Sequence, residues 1–181
     1  AADTTGQDPA KTRPVMIHAQ LVRPDQLKEM ERLSITASFF TAHTWYWGDV
    51  HLKNFGEARA LKISPARTAI DDGVNVTFHQ DSPVIQPDML ETVWCAVNRI
   101  SCGGHPMGLM ERVTPYEALK AVTSNAAYQY GEENEKGTIE PGKTADFVIL
   151  SASPLTVLPE EIKKIRVLET IKGGKVLYKS I

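Results

Sequence analysis

Cysteine is scarce in this chain, and charge of either sign is nearly cancelled. Only Cys95 and Cys102 occur among 181 residues, and the formal net charge is −2. Two cysteines cannot build a disulfide framework, and this pair, seven positions apart, matches no zinc-binding spacing. They read as ordinary thiols of a reducing compartment, so a cytoplasmic location is expected. A near-neutral chain has no electrostatic pull toward nucleic acid or an anionic membrane surface. No apolar run approaches the roughly 20 residues that span a bilayer. No signal segment is visible, but the chain opens Ala1-Ala2-Asp3 rather than with Met, so its start carries little information. Low-complexity tracts are missing as well. What remains is an ordinary globular composition with 42% hydrophobic residues, enough for a real core.

Within that composition a rhythm runs along the chain. Residues 1–13 are polar and without period. PVMIHAQ (14–20) then reads as a buried strand, and PDQLKEMERL (24–33) as a helix with Pro24 in its first turn and Leu27, Met30 and Leu33 on one face. ITASFFTA (35–42) is a second strand, followed by a loop rich in Trp and Gly and a helical stretch carrying Ala58, Ala60 and Leu61. A short third strand is expected near Leu61–Ile63. It leads into SPARTAIDDG (64–73), where Ser64 caps, Pro65 opens and Gly73 closes a helix. VNVTF (74–78) alternates with the period of a strand, and Leu90, Val93, Trp94 and Val97 form a helical stripe within 87–100.

Strands alternating with helices imply a parallel sheet covered by helices. Four such units over residues 14–112 would make half of a (β/α)₈ barrel, with an open doubly wound sheet as the alternative. Thr114-Pro115-Tyr116-Glu117 is a capping box opening a connecting helix within 113–137. Residues 138–181 carry glycine-punctuated strands at 146–151, 166–171 and 175–178, with Gly173-Gly174 as a hairpin turn. They read as part of a small β-sandwich.

In either parallel architecture ligand groups sit at the C-terminal strand ends. The first strand ends in His18, the second in His43 and the fourth in Asp81. Parity aims them inward: Met16 and His18 share a face, as do Thr41 and His43, and Thr77, His79 and Asp81. Any one of them alone would be a solvated or hydrogen-bonded strand end. Three at the same end of successive units suit a zinc ion with room for water. Trp45, Trp47 and Asp49 follow His43, where loops line substrate pockets. They would wall an apolar acyl or aryl group, or else pack against the β element. His51 and His105 fall in expected loops and read as solvated, Lys53 and Arg67 as surface charges.

IHAQL (17–21), HTWYWGD (43–49), HQDSPV (79–84) and the tail GTIEPGKTADFVILSASPLTV (137–157) resemble the metal-dependent amidohydrolase superfamily. The branch is the one that includes N-substituted formamide deformylase. The resemblance runs from about residue 14 to the end. It implies the C-terminal half of a (β/α)₈ barrel plus part of a β-sandwich. By position it makes His18 and His43 metal ligands, and Asp81 both a ligand and the general base. It further implies one or two divalent ions, zinc by ligand chemistry, and a small amide or formamide as substrate. Metal-activated water would attack the carbonyl of a non-peptide carbon–nitrogen bond.

The departures are informative. The family's first-strand His-x-His pair has no counterpart in this chain. The chain is therefore expected to be inactive alone, and either to lack an N-terminal half or to form a homo-oligomer. Where the family reads Gly-Ser-Asp, this chain has His79-Gln80-Asp81. We read His79 as a partner behind the ligands or as a packed polar residue rather than as a ligand. Two rival readings are a non-catalytic interaction module and a deaminase acting on a cyclic amidine.

Overall fold

Three of the apolar runs pair into one sheet. In the computed structural model, which describes residues 6 and 8–180, they are β1 (Val15–His18), β2 (Thr36–Phe39) and β3 (Val76–Phe78). All are parallel, in the order β1-β2-β3, with His18 opposite Phe39 and Phe39 opposite Phe78. Every residue of β2 is buried, as befits a central parallel strand that is covered on both faces. A short helix, α1 (Pro9–Thr12), precedes β1, and α2 (Pro24–Arg32) makes the first crossover with Leu27 and Met30 buried.

The second crossover departs from expectation. It contains α3 (His43–Tyr46), α4 (Gly48–Phe55), α5 (Glu57–Ala60) and α6 (Ala66–Asp71), and the strand expected at Leu61–Ile63 is a turn. The reason is visible in the hydrogen bonds. The Ile63 and Ser64 carbonyls accept from the buried Arg99 guanidinium at 2.7 and 3.0 Å rather than from a strand neighbour. Ile63 packs with Ala60 and Met107 in a small separate cluster. With no strand there, β2 pairs directly with β3. Nor does Ser64 cap the helix: Pro65 takes that position, Ser64 has φ +46°, and its buried hydroxyl has no partner.

Beyond β3, α7 (Met89–Asn98) lays Val93, Trp94 and Val97 into the core beside Phe39, Phe40 and Val76. The capping box forms as read, with Thr114 and Glu117 bonded reciprocally. The expected single helix is two, α8 (Pro115–Val122) and α9 (Ser124–Tyr130). The break is at Thr123 (φ −128°, ψ −92°), whose hydroxyl donates to the Leu119 carbonyl at 2.6 Å. A second sheet, antiparallel in the order β4-β5-β6, comprises β4 (Phe147–Leu150), β5 (Val167–Lys172) and β6 (Lys175–Lys179). The mixed α/β class therefore stands. Among the described residues no helix is long and apolar enough to cross a membrane.

Candidate functional site

The parallel strands all end on one side, and there the backbone leaves ordinary territory. His18 (φ +66°), Ala19 (φ +42°) and Asp81 (φ +51°) are left-handed without being glycine. Side-chain-bearing residues persist in that region only where the surroundings fix them. His79 carries the sheet one residue beyond β3, its N–H donating to the Phe39 carbonyl at 3.0 Å.

His18, His79 and Asp81 come together, but strand parity does not account for it, since β3 ends at Phe78 and Asp81 follows in a turn with φ +51°. His79 Nε2 lies 3.2 Å from His18 Nδ1, and His79 Nδ1 lies 3.0 Å from the Ser38 hydroxyl. His18 Nε2 lies 3.7 Å from Asp81 Oδ2. His43 joins them by a different route. It is not a strand residue: the ladder ends at Phe39, and the His43 N–H donates to the Phe40 carbonyl at 3.1 Å as α3 begins. The parity argument for His43 therefore fails, yet its ring lies 6.0 Å from that of His18, both against Phe40.

His51 is the residue that sequence reasoning missed. It sits on α4, half-buried, with Nε2 3.3 Å from His43 Nδ1 and 2.9 Å from Gln20 Nε2. Spacing held the signal: positions 43, 47 and 51 recur every fourth residue, which aligns them on one helical face. Trp47 stands with them, its ring 5.0 Å from His43. Trp45 does not, packing edge-on to Trp94 of α7 at 5.0 Å beneath the Lys163 ammonium. The Asp49 carboxylate is engaged by the 101–105 loop, accepting from Ser101 Oγ at 2.6 Å and His105 Nδ1 at 2.7 Å. Thus His105, read as merely solvated, is exposed but paired. Arg67 is likewise no free surface charge, since it donates to Glu117.

Burial, the neighbouring His51 and the neighbouring His18 push the His43 imidazole down to about 4. Burial and then His18 do the same to His79, also to about 4, and burial lowers His51. Neutral imidazoles are the form that binds metal, and with a carboxylate they match zinc in kind. In arrangement they are bonded to one another: among the described residues no group of three His, Cys, Asp or Glu side chains is gathered to hold one ion.

The chain was compared with known proteins. A family model described as "Amidohydrolase family" matches residues 1–178. N-substituted formamide deformylase of Arthrobacter pascens is 33% identical over 162 residues, which cover 89% of this chain and 30% of the relative. Among solved structures, an uncharacterized metal-dependent hydrolase from Pyrococcus horikoshii superimposes with a TM-score of 0.72 at 26% identity. The match covers 87% of this chain and 32% of that one. Its counterpart from Pyrococcus furiosus gives 0.67 at 30% identity, covering 80% and 29%. The chain thus spans about a third of the length of these relatives.

Proposed function

The chain belongs to the amidohydrolase family, and from that membership we propose that it forms part of a metal-dependent hydrolase cleaving non-peptide carbon–nitrogen bonds. The observation that carries this reading is the approach of His18 to Asp81, 3.7 Å, and to the ring of His43, 6.0 Å, beyond the ends of the parallel strands, with His43 held neutral. His18, His43 and Asp81 are the residues that would hold a divalent ion, zinc by their chemistry. Such an ion supplies Lewis acidity, lowering the pKa of water toward about 7 and polarising a carbonyl.

The chain's own residues do the rest. Asp81 accepts the proton of the attacking water at a carboxylate oxygen and returns it to the leaving amine. His79 stands behind His18, held in turn by Ser38. Trp47 and Phe40 supply apolar wall around His43, suited to the acyl or aryl part of a small amide. In this reading the segment 14–112 belongs to a (β/α)₈ barrel, 113–137 connects, and 138–181 belongs to a small β-sandwich.

Kinetics with metal analysis test the assignment, in a protein of the relatives' full length carrying these residues. Asp81→Asn is expected to retain most metal while kcat on an N-substituted formamide falls by about 10²–10⁴-fold. His18→Ala should lose metal first and activity in consequence. Unchanged kcat in Asp81→Asn would return that residue to a solvated turn.

A further inference from the structure

The turn that carries Asp81 is fastened on both sides. Asp81 is left-handed (φ +51°) without being glycine, a backbone state that persists only where neighbours impose it. One constraint is its own carbonyl, which accepts from the Val84 N–H at 2.8 Å. The other comes from the residue before it. Gln80 is 4% exposed, and its Nε2 donates to the backbone carbonyl of Asp88. Asp88 is the N-cap of α7, its carboxylate accepting from the Leu90 and Glu91 N–H groups at 2.9 and 3.1 Å. Gln80 thus closes the base of the 81–88 loop on the start of a helix.

That helix is itself fixed to the neighbouring strand tip. Thr41, two residues past the end of β2, is 1% exposed and donates from Oγ1 to the Thr92 carbonyl of α7 at 3.0 Å. Buried side chains therefore tie the segments that follow β2 and β3 to the same end of α7. Packing alone does not call for glutamine at position 80. Its buried Oε1 has no partner among the described residues, an unmet acceptor that a methionine of the same length would not carry. What glutamine supplies there is the hydrogen bond to Asp88.

We propose that Gln80 is a positioning residue: through Asp88 it holds the Asp81 turn in its left-handed form, and so keeps the carboxylate in place, 3.7 Å from His18 Nε2, to accept a proton. The inference rests on the reading of Asp81 as general base. Displacing such a group by about 1 Å can lower a rate about 10²-fold.

The test is Gln80→Met, which keeps the length and removes the donor. Gln80→Asn keeps the amide but falls one methylene short of Asp88, and serves if the first variant does not fold. Hydrogen exchange of this chain reads the turn directly. In either folded variant the Val84 N–H is expected to exchange at least about tenfold faster, while the Ala37 N–H, bonded to Asn75 inside the sheet, keeps its rate. An unchanged Val84 rate would mean that the turn holds itself, and equal acceleration of Ala37 would mean a general loss of stability. Either overturns the proposal.

Kinetics in a protein of the relatives' full length carrying these residues supply the second arm. The Gln80 variants are expected to lower kcat on an N-substituted formamide about 10–100-fold with KM unchanged. A raised KM at unchanged kcat would make Gln80 a binding residue and overturn the proposal. If Asp81→Asn loses activity and neither Gln80 variant does, the positioning role falls and the base assignment stands. If Asp81→Asn keeps wild-type kcat, the base assignment itself falls, and the positioning role falls with it.

Discussion

Asp49 lies two residues before His51 on α4, yet its carboxylate works on a different loop. It accepts from Ser101 Oγ, His105 Nδ1 and the Gly103 N–H, and Cys102 Sγ is 3.5 Å away. The Ser101 hydrogen bond, then that from His105, holds the carboxyl at about 2, below its ordinary 3.8. A folded-state pKa below the unfolded value stabilises at pH above about 3.8, and the contribution is lost as pH falls from there to about 2. Thermal unfolding of wild type and Asp49→Asn should therefore differ most at neutral pH and converge toward pH 2. A constant gap across that window would mean that the charge of Asp49 is not what holds the loop. At this scale the sequence marked the strand ends, though not the geometry beyond them. His18 closes β1, whereas His79 and Asp81 lie past the end of β3 at Phe78, where the alternation no longer holds. His51 was passed over because Val50, Leu52 and Phe55 trace no single stripe, leaving only the four-residue spacing of His43, Trp47 and His51 to mark α4 as a helix.

The elements themselves were readable wherever burial imposed a period. β1 and β2 were readable as apolar runs, β3 by alternation, and α2 and the capped start of α8 by proline and capping residues. β1, read as buried, is instead exposed at Met16 and Ile17 because it is the sheet's edge. The turn at 61–64 was not readable, because a side chain distant in sequence makes it. Arg99, only 1% exposed, donates to the carbonyls of Ile63, Ser64, Met107 and Gly108 at 2.7 to 3.0 Å. No local pattern announces such a clasp. Gly108 is part of it: at φ +71°, a Cβ there would stand 1.8 Å from the Leu61 carbonyl oxygen. Arg99→Met fills similar volume but leaves those carbonyls without their donor. We expect a loss of about 3 kcal/mol or more in urea unfolding, since each buried unsatisfied group costs about 1–3 kcal/mol. A change below about 1 kcal/mol would mean that other donors, or water, replace the guanidinium.

For the whole molecule, the shape of the parallel sheet sets the expectation. β1 is an edge strand, and Met16 and Ile17 are 49% and 53% exposed on it. An apolar strand with an unpaired edge invites pairing with another chain. Sedimentation at micromolar concentration should accordingly give a mass above the 20.0 kDa of one chain. A clean monomer would mean that the edge protects itself.

The central claim is that His18 and His43 face one divalent ion, and direct metal binding tests it without reliance on catalysis. Isothermal titration of the purified chain with zinc should show a site that is weakened at least about tenfold in His18→Ala and again in His43→Ala. Circular dichroism should show that both variants keep the fold. Zinc affinity unchanged in either folded variant would contradict the account.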